Sequence, residues 1–126
     1  MTMDLTQYFK SVLEQDPAPV VLCDTNHTIL YMNPAATKRY KNQGGERLVG
    51  KSLLECHTPA SREIIEKVLD WFRESPNNNI IYEFRNDAEN KDVYTVALRD
   101  DDGNLIGYYE KHEYRNRETA QLYDFK

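Results

Sequence analysis

The chain has 126 residues, a formal net charge of −5, 40% hydrophobic and 29% charged residues, the makeup of one folded domain that buries roughly two thirds of its unfolded surface without a staple. It has no long uncharged apolar run to span a bilayer and no basic block to drive binding to a phosphate backbone. Met1 to Leu5 form neither a basic nor an apolar leader, so a cytoplasmic protein without nucleic-acid or membrane partners is expected.

Leu5, Tyr8, Phe9, Val12 and Leu13 recur at i, i+3, i+4, i+7 and i+8 and predict an amphipathic helix within residues 1–16. Asp16-Pro17-Ala18-Pro19 closes it. A lone helix of this length is marginal in water, so its stripe must be covered by its own sheet or by a second copy of the chain. Val20 to Cys23 and Thr28 to Met32 then read as a strand pair turning through Asp24-Thr25-Asn26-His27. Asn33-Pro34 supplies a helix cap and a first-turn proline for a short helix that Lys41 to Gly45 breaks, and residues 46–54 read as a helical connector.

Thr58-Pro59 repeats the cap-plus-proline logic before the longest helix, whose apolar residues Ile64, Ile65, Val68, Leu69, Trp71 and Phe72 recur at helical spacing. Beyond Pro76 the period changes from 3.6 to 2. Ile80, Tyr82 and Phe84 alternate with Ile81, Glu83 and Arg85, and Tyr94, Val96 and Leu98 share a face, so these residues are predicted to lie under the helix of residues 59–73. A third strand follows from Leu105 to Tyr114. Asp100-Asp101-Asp102-Gly103-Asn104 before it starts like a calcium loop but lacks the later ligands and the closing Glu, which makes it a hairpin turn.

Candidate chemistry centres on the start of the long helix. Cys56 and His57 are adjacent, do not face each other in a regular element and have no recognisable orienting partner, so no catalytic residue and no enzyme are expected. Cys23 and Cys56 lack CxxC spacing and a second pair, the pattern of small buried thiols rather than of a disulfide framework or zinc site. His57 lies where a loop enters a helix, and either bonds a helix end or lines a ligand site. Tyr31, Tyr82, Tyr94 and Trp71 each combine an apolar body with a polar handle. With His57 they are the predicted ligand-binding residues of a chamber between helix and sheet.

The order helix, two strands, helices, three strands resembles a PAS domain, the small sensor module of bacterial and eukaryotic signalling proteins. The matching strings are Val21-Leu22-Cys23-Asp24, Ile29 to Ala36, Leu48-Val49-Gly50-Lys51-Ser52 and Asp101 to Gly107, spread over Leu13 to Tyr114. The resemblance implies an α+β fold: a five-stranded antiparallel sheet in the order 2-1-5-4-3, helices over one face, and an N-terminal flanking helix. It divides the chain into that helix at residues 1–16, a PAS-like domain at 17–115 and a tail at 116–126. It also implies a non-enzymatic sensor that binds a small molecule or cofactor and signals through a homodimer or a partner signalling protein, with Leu5, Tyr8, Phe9, Val12 and Leu13 at the dimer interface. The alternative is a ligand-free interaction and dimerisation module. Some relatives hold haem through a histidine near this helix, which makes His57 a possible axial ligand and otherwise leaves the cofactor unknown. Two departures matter. The flavin branch's Asn-Cys-Arg motif is absent between Tyr40 and Leu54, so flavin is not implied. Where relaying members end the last strand with Asp-x-Thr, this chain reads Tyr114-Arg115-Asn116, so output through a following helix is not implied either.

Overall fold

In a computed structural model, residues 3–125 are described; the N-terminal leader reading rests partly on residues outside them, and the Cys56 side chain is likewise outside the description. The elements run α1 (Thr6–Gln15), β1 (Val21–Asp24), β2 (Ile29–Met32), α2 (Pro34–Arg39), three 3-10 turns (Lys41–Gln43, Gly45–Leu48, Leu53–Cys56), α3 (Pro59–Glu74), β3 (Ile80–Asn86), β4 (Lys91–Arg99) and β5 (Leu105–Tyr114). All strand pairs are antiparallel, and the sheet order is β2-β1-β5-β4-β3, as expected. α3 packs Val68, Leu69 and Phe72 into a core with Cys23, Ile29, Met32, Ala36 and Tyr108.

Both cap-plus-proline starts form. Thr58 Oγ1 accepts from the Ser61 amide at 3.2 Å, and Asn33 Oδ1 accepts from the Ala36 amide at 2.9 Å. Asn33 does more than cap: fully buried, its Oδ1 also accepts from the Val20 amide at 2.9 Å. Its Nδ2 donates to the Leu13, Ala18 and Asp16 carbonyls at 2.9, 3.0 and 3.3 Å. One side chain thereby ties the end of α1, the proline linker, β1 and α2. At the other end of α3, the Arg99 guanidinium of β4 donates to the Phe72, Ser75 and Asn78 carbonyls at 2.7, 3.1 and 3.1 Å. A cation there satisfies carbonyls that a helix C-terminus leaves unpaired and complements its dipole.

The turn from Asp100 is a hairpin: the Asp100 carboxylate accepts from the amides of Asp102 and Asn104, and Gly103 takes the positive φ of 85°. Four residues later Gly107 is required by contact. A Cβ there would stand 2.1 Å from the Cys23 carbonyl oxygen, because β1 and β5 approach closely at this pair.

The structure corrects the predicted faces of the sheet. Ala97 pairs with Tyr108, Thr95 with Glu110 and Val93 with His112, and this row lies under α3. Tyr94, Val96 and Leu98 therefore point to the opposite face, with Tyr82 and Ile80 opposite Tyr94 and Val96. That face is open along the edge strand β3, where Ile80 and Tyr82 are 51% and 53% exposed. Phe84 leaves this set because the register shifts between Tyr82 and Phe84, a bulge that returns Phe84 to the α3 side opposite Val93. On β4 the larger apolar side chains Tyr94, Val96 and Leu98 occupy the open face while Val93, Thr95 and Ala97 lie beneath the helix, so choosing the more hydrophobic face selected the wrong one.

α1 has no buried residue; Tyr8, Phe9 and Val12 are each more than 60% exposed. Only its end is held to the sheet, by Asn33 on the Leu13 carbonyl and by the Tyr31 hydroxyl donating to Glu14 Oε2 at 2.8 Å.

Candidate functional site

A cavity of about 450 Å³ lies between α3 and the sheet. Its roof is Ile64, Ile65, Val68 and Leu69 of α3, and its floor is Glu83, Phe84, Thr95, Tyr108 and Glu110. A second cavity of about 260 Å³ continues toward β1 and the second 3-10 turn, lined there by Val21, Ile29, Met32 and Leu48. Tyr40, Leu53, His57 and Glu110 line both. The loop before α3 is held for this purpose along β2: the Leu53 amide donates to the His27 carbonyl at 2.8 Å, the Ile29 amide to Lys51 at 2.9 Å, and Thr28 bridges Ser52. Arg62 Nε then clips the loop to the first turn of α3 through the Leu54 and His57 carbonyls at 2.8 and 3.2 Å.

His57 lines the chamber, with Nδ1 2.8 Å from the Leu53 carbonyl oxygen. A carbonyl only accepts, so Nδ1 carries a proton, and in the neutral ring Nε2 is then the acceptor. The other four predicted ligand residues are not among those lining the chamber. Tyr31 is bound to Glu14. Tyr82 and Tyr94 stack on the uncovered face with ring centroids 5.2 Å apart, the Tyr82 hydroxyl donating to Asp92 at 2.6 Å. Trp71 packs against Phe72 and the core edge. The Tyr31 and Tyr82 hydroxyls found partners at the periphery, so the polar handle that suggested a ligand is already used in those two.

Two of the chamber's polar groups are carboxyls, Glu83 and Glu110. Thr95 Oγ1 donates to Glu83 Oε2 at 2.5 Å. Glu110 pairs across the sheet with Thr95, and burial, with Glu83 nearby, pushes its carboxyl up to about 7. Behind it the same sheet face carries half-buried His112 and buried Lys91. Burial, with Lys91 and Arg39 nearby, lowers the His112 imidazole to about 4, and among the described residues neither His112 Nδ1 nor Lys91 Nζ has a hydrogen-bond partner. Lys91 Nζ lies 3.5 Å from Glu89, which the Arg39 fork grips at 2.5 and 2.7 Å; that grip holds the Glu89 carboxyl down at about 2.

On the opposite side, buried His27 links α3 to β5: Nδ1 lies 2.8 Å from the Tyr108 hydroxyl and Nε2 2.7 Å from Glu66 Oε1. Tyr108 also bonds the Cys23 thiol, which burial pushes up to about 11. Sequence reasoning missed His27, Glu83, Thr95 and Glu110. The one available signal was a row of polar residues alternating with Tyr94, Val96 and Tyr109.

Among the described residues, no three His, Cys, Asp or Glu side chains are placed to hold a metal ion. Haem does not fit this donor set. His57 has the tautomer of a ligating imidazole, but the ring would lie against two carboxyls, and no Arg or Lys among the lining residues meets its propionates.

Among the described residues no helix is long and apolar enough to cross a membrane. No curated protein matches the chain in sequence. Solved structures do match in fold. The PAS domain of a Colwellia psychrerythraea protein shares 13% identity at TM-score 0.64, over 88% of this chain and 97% of that one. The PAS domain of Bordetella pertussis BvgS shares 21% at TM-score 0.63, over 91% and 89%. The Vibrio cholerae Aer2 receptor, described as a dual PAS-haem oxygen sensor, shares 17% at TM-score 0.53, over 78% and 94%. The family model described as the PAS fold matches residues 13–111, and with the sheet order and the chamber under α3 it establishes that this chain belongs to the PAS fold family of signalling modules, which are generally sensory and non-catalytic.

Proposed function

We propose that residues 17–115 are a cytoplasmic, non-enzymatic sensor unit whose chamber takes a small molecule, that residues 1–16 join two copies into a homodimer, and that residues 116–126 are a tail. Binding in the chamber shifts the dimer contact, or a contact with a partner signalling protein, because a ligand with different affinity for two arrangements displaces their equilibrium. The observation that carries this reading is the cavity of about 450 Å³ with an ionisable carboxyl on its floor. A purely structural core gains stability by filling such a space with side chains. Aer2, similar in fold, is named as a haem sensor; the acidic chamber here suits a different ligand.

A ligand-free dimerisation module is the rival reading, favoured by the bare stripe of Tyr8, Phe9 and Val12 and the uncovered Ile80 and Tyr82. Native mass spectrometry of the freshly purified chain separates the two: a co-purified small molecule that is lost in His57→Ala supports the sensor, and an empty chamber in both variants supports the module. Sedimentation of the intact chain against one starting at Asp16 tests the interface. A dimer that becomes a monomer on truncation is expected, and an unchanged monomer in both removes the homodimer.

A further inference from the structure

Resting on the ligand-chamber reading above, we propose that the chamber takes a protonated amine with an apolar body, its ammonium seated between the carboxyl groups of Glu83 and Glu110. Three observations converge on this class of ligand. First, the two carboxyls come from different strands, β3 and β5, and flank Thr95 on the floor of the same cavity. Thr95 occupies only one oxygen of Glu83, and no hydrogen bond from a described group satisfies Glu110. An ammonium brings three donors and no acceptor, the complement of that arrangement.

Second, the local charge is one cation short. Glu89 engages both Arg39 and Lys91, which leaves a single positive charge behind the floor, while Glu83 and ionised Glu110 contribute two negative ones. His112 stays neutral in its half-buried site. An anionic ligand would meet both carboxyls, with no Arg or Lys among the described lining residues to receive it. Third, the roof opposite the carboxyls is aliphatic, Ile64, Ile65, Val68 and Leu69, and Phe84 and Tyr40 add aromatic faces that favour a cation. A charged head on the sheet side and an apolar body on the helix side match that polarity.

The groups facing Glu110 are Glu83 from β3, Lys91 from β4, Arg39 and Tyr40 from the end of α2, Cys23 from β1 and Tyr108 on its own strand, with His57 from the loop before α3 lining the same two cavities. With its carboxyl at about 7 in the empty chamber, Glu110 is mostly protonated at pH 6. A cation beside it draws the proton off, so uptake of the amine releases a proton and tightens as the pH rises.

The test is a calorimetric titration of the intact chain with 2-phenylethylammonium, its neutral analogue 2-phenylethanol and the anionic 3-phenylpropanoate. The ammonium is expected to bind at least about tenfold more tightly than the alcohol, and about tenfold more tightly at pH 8 than at pH 6. Glu110→Gln and Glu83→Gln are each expected to erase that preference while leaving the alcohol unchanged. Equal or tighter binding of the alcohol or the propanoate overturns the amine assignment and leaves the chamber reading intact. So does an ammonium preference that survives in both variants or an affinity that is flat with pH in the wild type, a readout that holds even if a variant misfolds. Binding of none of the three also overturns it, and the co-purified mass sought above then decides whether the chamber reading stands.

Discussion

The two faces of the sheet differ in a way that reverses the usual arrangement. Beneath α3 the strands present Glu83, Thr95 and Glu110 among the apolar Val93, Ala97 and Tyr108, and His112 and Lys91 continue the same face; Thr95 and Lys91 are almost fully buried. On the other side they present Ile80, Tyr82, Tyr94, Val96 and Tyr109, of which Ile80 and Tyr82 are more than half exposed. A domain built only for stability would turn the second set toward its helix. Polar floors under a helix leave a cavity that side chains do not fill, and apolar backs leave a surface for another chain. The comparison separates residues that hold the fold from residues spared for binding.

The largest expected effect breaks both faces at once. Gly107→Ala places a Cβ 2.1 Å from the Cys23 carbonyl, backbone against backbone, where β1 and β5 join the two halves of the sheet. A loss of about 3 kcal/mol or more in urea denaturation, or failure to fold, is expected; a stability within 1 kcal/mol of wild type would show that the strands are not so closely joined. Next come the helix side chains facing the sheet. Phe72→Ala and Leu69→Ala, both at residues with at most 1% exposure, are expected to cost about 2–5 kcal/mol each by the same measurement.

Glu110→Gln is expected to act in the other direction and only at higher pH. The Glu110 carboxyl stands at about 7 when folded against 4.5 in the free side chain, so between those values the folded state keeps a proton that the unfolded chain has released. Stability therefore falls as the pH rises through that window and stays reduced above it. At pH 8 the glutamine variant, which never ionises, is expected to exceed wild type by about 2–3 kcal/mol, and at pH 4.5 by little. His112 runs the opposite way: held at about 4 rather than 6.5, it withdraws stability as the pH falls between those values. Thermal unfolding of both proteins across pH 4–8 checks the signs, and parallel curves would show that Glu110 is not desolvated. The smallest effect is assigned to the bare face. Ile80→Thr and Val96→Thr are expected to change monomer stability by about 0.5 kcal/mol or less, while weakening self-association in sedimentation if that face meets a second copy.

Much of the scaffold was legible in the chain. Thr58-Pro59 and Asn33-Pro34 announce helix starts because a side-chain oxygen followed by a residue without an N–H satisfies the first helical turn locally, whatever lies around it. The change of period after Pro76 marked the move from helix to strand, and the strings shared with PAS domains carried the strand order. The floor of the chamber was not legible. Both faces of β3 and β4 alternate, and a period of two says that there are two faces without saying which one a helix covers. One extra residue at Glu83 then moved Phe84 across the sheet.

What local chemistry determined by itself is therefore the set of elements: caps, prolines, periods and turns act within a few residues of chain. What only the tertiary structure decided is which side chains meet. Asn33 gathers carbonyls and amides from Leu13 to Ala36, Arg99 reaches back across the hairpin to the end of α3, and His27 joins residues 39 and 81 positions away. Such contacts depend on register, and register is set by the whole sheet at once, because a slip of one residue would carry Glu110 and Thr95 to the bare face and bring Tyr109 and Val96 under the helix.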